Sequence, residues 1–191
     1  MEKVKNVILC GTGGQGILLA SEVLCSAAWR AGFDVKKSEV HGMAQRGGAV
    51  SSHVRFGSRV HSVLVEKGAA DIVLAMEKME ALRWAEFLSP EGKLIACDLR
   101  IDPMTVNTGQ ATYPEVNKIL EEMNIPNLMI PVLDIARELG NMRVVNVILL
   151  GAASKQLPEI AEEHWLAAIE ERVPPKALQV NIEAFRRGKA L

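Results

Sequence analysis

Val7-Ile8-Leu9-Cys10-Gly11-Thr12-Gly13-Gly14-Gln15-Gly16-Ile17-Leu18-Leu19 is the stretch whose reading decides the fold. Its first four residues form an apolar run without alternation, the pattern of a strand buried on both faces, and its last three open a helical pattern. Between them, Gly11, Gly13 and Gly16 fit G-x-G-x-x-G. One glycine suits the tight turn, one the close approach of backbone to a pyrophosphate, and one the close packing of helix on strand. N–H groups and the positive end of the helix dipole then face an anion. The alternative is a turn that carries the chain from strand to helix and holds no ligand. A second loop, His41-Gly42-Met43-Ala44-Gln45-Arg46-Gly47-Gly48, follows the next expected strand and sets a guanidinium among glycines. The candidate binding residues are therefore Gly11, Gly13, Gly14, Gln15, Gly16, Arg46, Gly47 and Gly48.

Outward from this loop, a helix is expected from about 15 to 31, with Ile17, Leu18, Val23, Leu24, Ala27 and Ala28 as its apolar stripe and Gly32 as its stop. Phe33 to Ser38 then completes a βαβ unit. A dinucleotide domain wants a carboxylate at the end of that strand for ribose hydroxyls. Glu39 meets the need only if the strand runs longer than this, and Lys36 and Lys37 suit a phosphorylated ribose or solvated surface. Ala49 to Phe56 and Val60 to Val65, joined by Gly57-Ser58-Arg59, read as an antiparallel hairpin, which makes the sheet mixed.

Asp71 to Ala75 is another buried strand, followed by a helix from about Glu77 through Phe87, a Ser89-Pro90-Glu91-Gly92 turn and a strand from Lys93 to Asp98. Leu99 to Tyr113 reads as a surface loop with room for a short strand. Glu115 to Met123 reads as a helix, and Asn127 to Pro131 as an edge strand closed by proline. Helices are expected over Val132 to Leu139, about Arg143 to Ser154, Leu157-Pro158 to about Arg172, and Pro174-Pro175 to near Arg187-Gly188. The third-last of these, apolar nearly all round from Val144 to Leu150, must be covered by the chain or by a partner. If by a partner, the isolated chain becomes a homodimer. The fold class is thus α/β: a three-layer α/β/α Rossmann-like domain with a mixed, mainly parallel sheet. One domain spans 1–191, its C-terminal helices of about 142–188 packed on it.

The 191 residues suffice for one sizeable core. A net charge of −1 with 24% charged and 49% hydrophobic residues argues against nucleic acid as a partner. No apolar run approaches the ~20 residues of a membrane span. The start Met-Glu-Lys-Val-Lys lacks the order of a signal peptide, so a cytoplasmic location is expected. Cys10, Cys25 and Cys97 are far apart and match no metal or cluster spacing. The four histidines show no H-x-x-x-H pair, and His53 and His61, able to meet across the expected hairpin, are a poor metal site, so no metal ligand is assigned.

Taken together, the chain resembles the gamma-type catalytic subunits of 2-oxoacid:ferredoxin oxidoreductases. The resemblance rests on Gly11 to Gly16, on Gly42 to Gly48 with Ser52-His53-Val54-Arg55, and on Ala70-Asp71 and Glu80-Ala81. It continues through Glu138-Leu139-Gly140-Asn141, Asn146, Leu150-Gly151-Ala152 and Asn181-x-x-Ala184-Phe185. Met43-Ala44-Gln45 and the closing Asn-x-x-Ala-Phe favour the beta-subunit members of the indolepyruvate branch. The resemblance implies a large partner subunit carrying thiamine diphosphate, magnesium and iron-sulfur clusters. With it, an aryl 2-oxoacid, coenzyme A and oxidised ferredoxin would become an acyl-CoA, carbon dioxide and reduced ferredoxin. It also implies that the glycine and Arg-Gly-Gly loops hold a pyrophosphate, as of coenzyme A, or close over the partner's cofactor, while no cofactor is bound by this chain alone and no residue is assigned proton transfer. Remaining alternatives are a subunit acting on pyruvate or 2-oxoglutarate, a stand-alone NAD- or FAD-binding reductase, and a nucleotide-sensing or scaffolding module.

Overall fold

The computed structural model describes residues 4–42 and 48–191. Six strands form one sheet: β1 (Lys5–Thr12), β2 (Asp34–His41), β3 (Ala49–Gly57), β4 (Ala70–Ala75), β5 (Leu88–Cys97) and β6 (Asn127–Ile130), in the order β2-β3-β1-β4-β5-β6. Neighbours β1, β4, β5 and β6 are parallel, and β3 alone runs against both its neighbours. The sheet is mixed and mainly parallel, as the sequence implies.

Alternating residues of the central strands feed two cores, which is why β1 reads as continuously apolar. Val7 and Leu9 of β1, with Ile72 and Leu74 of β4, face α1 (Ile17–Arg30), α5 (Val132–Glu138), α6 (Val145–Ser154), α7 (Glu162–Arg172) and α8 (Leu178–Lys189). Ile8 and Cys10, with Val73 and Ala75, face α2 (Lys78–Trp84) and α4 (Val116–Glu122). The three layers are therefore helices, sheet, helices. Leu18 departs from the expected α1 stripe and is exposed.

The expected hairpin between Ala49–Phe56 and Val60–Val65 does not form. Both edges of β3 are already taken, one by β2 and one by β1, so no edge is left for a further strand. The backbone of this segment instead uses side chains: Val60 N donates to Asp34 Oδ2 at 2.8 Å and Val65 N to His53 Nδ1 at 3.1 Å. Arg55 Nη1 donates to the Ser62 and Leu64 carbonyls at 3.0 and 3.2 Å.

Smaller departures have local causes. The expected turn at 89–92 lies inside β5, where the register with β4 shifts between Ala70 and Ile72. Residues 99–113 contain no strand but a short helix, α3 (Met104–Asn107). The helix expected from Leu157 begins only at Glu162, because Leu157 and Ile160 turn inward and the Ile160 carbonyl accepts from Trp165 Nε1 at 3.2 Å.

The nearly all-apolar helix α6 is covered by this chain itself, lying between the sheet and α8. Two glycines bring α6 and α8 together. A Cβ at Gly151 would overlap the Phe185 carbonyl, and one at Gly188 the Ile148 carbonyl. The expectation that α6 offers a surface to a second copy therefore fails.

Cys10 and Cys97 are buried and Cys25 partly so; all are free thiols. Burial pushes Cys25 and Cys97 up to about 11. His61 is exposed while His53 is buried, so the two do not form a site. Among the described residues no group of three or more His, Cys, Asp or Glu is placed to hold a metal ion, and no helix is long and apolar enough to cross a membrane.

Candidate functional site

The order of strands puts the turn of the topology between β1 and β4: from β1 the chain leaves toward β2, and from β4 toward β5 and β6. Open α/β sheets bind ligands at the carboxyl ends of strands at such a point. Residues 11–16 occupy it, at the end of β1 and the start of α1.

This loop is fixed by its own glutamine. Gln15 Oε1 accepts from Thr12 N at 2.6 Å, and Gln15 Nε2 donates to the carbonyl of Met76, just beyond β4, at 3.1 Å. One side chain thus ties the loop to the ends of two parallel strands. Gly11 leaves room for it, since a Cβ there would lie 2.5 Å from Gln15 Oε1 and 2.8 Å from Met76 Cβ. Gly14 and Gly16 have φ of 97° and 76°, left-handed values that favour glycine.

Gly16 is the N-cap of α1 and has no side chain with which to cap it. Its carbonyl accepts from Ala20 N at 3.0 Å and also from Asn146 Nδ2 at 3.0 Å. Asn146, in the first turn of α6, is only 2% exposed, and its Oδ1 accepts from Val147 N at 3.0 Å. A Cβ on Gly16 would lie 2.5 Å from Asn146 Nδ2. The loop is held from one side by Gln15 and from the other by Asn146.

The two loops singled out in the sequence meet. Gly13 N donates to the Gly48 carbonyl at 2.9 Å, and Gly42 N to the Ala49 carbonyl at 2.7 Å. Gly13 is therefore not an open donor. The N–H groups of the first turn of α1 have no partner within the helix and point out of its end. Arg46 and Gly47 lie outside the described residues.

Two cavities flank the glycine loop and share Gly14 and Gly16 as walls. One, of about 670 Å³, lies toward β2 and β3, lined also by Ile17, Leu18, His41 and Val50. The other, of about 410 Å³, lies toward α5 and α6, where Leu99, Leu133, Val145 and Asn146 line it and Arg143 adds a cation. Both are of the size that small-molecule sites occupy.

The strand-end acid of a dinucleotide site is not delivered. β2 does run on to His41 and includes Glu39, but β3 is inserted between β2 and β1. Glu39 is therefore two strand spacings, roughly 10 Å, from the β1 line. It pairs with Lys37 at 2.5 Å, and Lys36 pairs with Asp34 at 2.7 Å.

Just beyond β4, at the start of α2, lies a buried polar group that the sequence did not single out. Glu77, 2% exposed, caps α2 by accepting from Glu80 N at 3.1 Å, and it also accepts from Ile101 N at 3.1 Å and Tyr113 OH at 2.7 Å. It pins the segment 99–113 across the ends of β4 and β5. Burial raises the neighbouring Glu80 carboxyl above the usual range, against the pull of the Arg83 guanidinium at 3.0 Å. Burial also lowers the His53 imidazole below 6.5.

Asn146 and Gln15 are the structural centre of the site. Gln15 stands in the motif as a candidate ligand residue; its polar atoms are engaged within the protein. Asn146 left one signal in the sequence, a lone amide in the apolar run Val144 to Leu150.

The model of the pyruvate ferredoxin/flavodoxin oxidoreductase family matches residues 6–191. The indolepyruvate oxidoreductase subunit IorB of Pyrococcus horikoshii is 42% identical, over 97% of this chain and 95% of its own length. Among solved structures, the gamma subunit of a keto/oxoacid ferredoxin oxidoreductase from Geobacter sulfurreducens shares the fold with a TM-score of 0.72 at 23% identity, over 96% of this chain and 95% of that one. The 2-oxoglutarate:ferredoxin oxidoreductase of Magnetococcus marinus, solved with 2-oxoglutarate, coenzyme A and succinyl-CoA bound, gives 0.75 at 22% identity. It covers 100% of this chain and 31% of the other, so there the same fold is about a third of a longer chain.

Proposed function

We propose that this chain, which belongs to the pyruvate ferredoxin/flavodoxin oxidoreductase family, is the small subunit of a 2-oxoacid:ferredoxin oxidoreductase acting on indolepyruvate or a related aryl 2-oxoacid. The whole-length similarity to IorB supports the choice of substrate. The reaction is oxidative decarboxylation to an acyl-CoA and carbon dioxide, with electrons passed to ferredoxin.

The residues here do not fit the cofactors of such chemistry. The three cysteines lie far apart in sequence and match no cluster spacing, and the sequence lacks the G-D-G and asparagine pair that hold a thiamine diphosphate magnesium. Thiamine diphosphate, magnesium and iron-sulfur clusters accordingly belong to a large partner subunit, and no step of the reaction is assigned to a side chain of this one.

What this chain offers is an anion seat for coenzyme A. The observation that carries this reading is the doubly anchored glycine loop, tied by Gln15 to Met76 and by Asn146 to Gly16, at the positive end of a 14-residue helix with a cavity on each side. Donors already in place need no reorganisation when the ligand arrives, which favours binding. Gly11, Gly14 and Gly16 shape the seat, Gly13 and Gly48 join its two loops, and Arg46 with Gly47 belongs to it by the sequence motif. A stand-alone dinucleotide reductase is disfavoured by the displacement of Glu39.

The test is co-expression with a large subunit of this enzyme class from the same organism, then an assay of dye or ferredoxin reduction with indolepyruvate and coenzyme A, with pyruvate and 2-oxoglutarate as competitors. The expected result is coenzyme A-dependent turnover, fastest with indolepyruvate and absent from the small chain alone. Turnover by the purified small chain supplied with thiamine diphosphate and magnesium would refute the assignment.

A further inference from the structure

Asn146 is a polar side chain in the wrong place for helix stability alone. It is 2% exposed, in a helix apolar along its first turns apart from it, and it belongs to a helix far along the chain from the glycine motif. Its two polar ends do different things: Oδ1 accepts from Val147 N within α6, while Nδ2 reaches the Gly16 carbonyl, 130 positions earlier in the chain. That carbonyl is the first acceptor of α1, bonded also to Ala20 N. Its direction therefore sets the direction of the α1 N-terminus, where the open N–H groups lie.

We infer that Asn146 is a positioning residue, which sets the glycine loop and the first turn of α1 from the α6 side and so governs the affinity of the anion they hold. Gly16, with φ of 76° and no side chain, cannot cap its own helix or brace itself against a neighbour. The brace comes from outside, and it is close: a Cβ on Gly16 would meet Asn146 Nδ2 at 2.5 Å, so the glycine and the amide are mutually required. Asn146 also lines the second cavity, on the flank away from the β2 and β3 loop. The C-terminal helices are by this route part of the binding site. The inference rests on the reading of the loop as an anion seat.

Asn146→Asp separates this role from a structural one. A carboxylate in the first turn of α6 still accepts from Val147 N and suits the positive end of the helix, so a purely local role in α6 is preserved or improved. The link to Gly16 is broken, because two acceptors then face each other. Only the protonated carboxyl restores a donor, so the defect should shrink as pH falls. Asn146→Ser is the second variant, too short to reach Gly16 but able to cap α6.

Two measurements are needed on each variant. Amide hydrogen exchange on the full small chain reads the loop without any ligand, and steady-state kinetics on the enzyme assembled with its large subunit reads coenzyme A. We expect faster exchange in residues 14–20 in both variants. We expect the KM for coenzyme A to rise roughly 3- to 10-fold, as loss of one hydrogen bond implies, with kcat at saturating coenzyme A and the KM for indolepyruvate within about twofold. For Asn146→Asp the KM should climb with pH. Unchanged exchange in residues 14–20 in both variants overturns the inference. Faster exchange with an unchanged KM for coenzyme A upholds the positioning of the loop and removes coenzyme A from it, so the two readings fail separately.

Discussion

Replacing Gln15 by methionine keeps the length and flexibility of the side chain and removes both of its polar ends. In the native loop those ends bond Thr12 N at 2.6 Å and the Met76 carbonyl at 3.1 Å. A buried donor or acceptor left unsatisfied costs ~1–3 kcal/mol. Gln15 is only partly buried, so water relieves one of the two groups and the net loss should be about 2 kcal/mol. For a chain of this size that is a fall of about 4 to 8 °C in melting temperature. Calorimetry on the isolated small chain measures it, and hydrogen exchange at Thr12 should quicken in step. If Gln15 is a clamp, the KM for coenzyme A in the assembled enzyme should change by only about threefold, through loosening of the loop. An unchanged melting temperature with a coenzyme A KM raised more than about tenfold would refute the reasoning, since that pattern belongs to a side chain whose bonds are made to the ligand.

Gly188→Ala forces a methyl group into the Ile148 carbonyl at the crossing of α8 on α6, and since backbone cannot swing aside the helices must part. A loss of about 3 kcal/mol, or about 6 to 12 °C in a thermal scan, is expected; a native melting temperature would mean that the helices are not that close. For His53, burial depresses the imidazole below 6.5, so above that pH the ring is neutral in both folded and unfolded chain and nothing is lost. As pH falls below 6.5 the unfolded chain takes up a proton that the folded one refuses, and stability drops until the lower folded value is passed. Urea midpoints between pH 7.5 and 5 should therefore slope less in His53→Gln, whose amide oxygen can replace Nδ1 as acceptor for Val65 N, and an equal slope would exclude His53 as the cause.

The parts of this fold that were legible in the sequence are those where local pattern and tertiary role coincide. β1 and β4 are buried on both faces and read as unbroken apolar runs, and the glycines between β1 and α1 read as a turn because left-handed backbone is required at Gly14 and Gly16. The pairing of β3 was not legible. Val60 to Val65 has strand composition, but whether it pairs depends on whether β3 has a free edge, and that is settled by β1, some 40 positions earlier. Gln15 was legible as part of the site but not as a clamp, since only the fold brings Met76 to its amide. Glu77 was hidden for a similar reason: a carboxylate at the start of a helix reads as a surface cap, and its burial comes from the segment carrying Ile101 and Tyr113, which folds back over it.

The insertion of β3 between β1 and β2 has consequences for what the glycine loop can recognise. In a dinucleotide domain the loop and the acid at the end of the neighbouring strand act together, one on the pyrophosphate and the other on the ribose. Here the loop keeps its place at the end of β1 and the positive end of α1, but the neighbouring strand is β3, which runs the other way. It presents its N-terminal end, Ala49 after Gly48, where the acid would stand. Gly48, which leads into β3, is itself tied to the glycine loop, its carbonyl accepting from Gly13 N at 2.9 Å. The same glycine fingerprint, with one antiparallel strand inserted, thus lacks the acid that would select a ribose diol, which argues against a dinucleotide and leaves room for the proposed seat for coenzyme A.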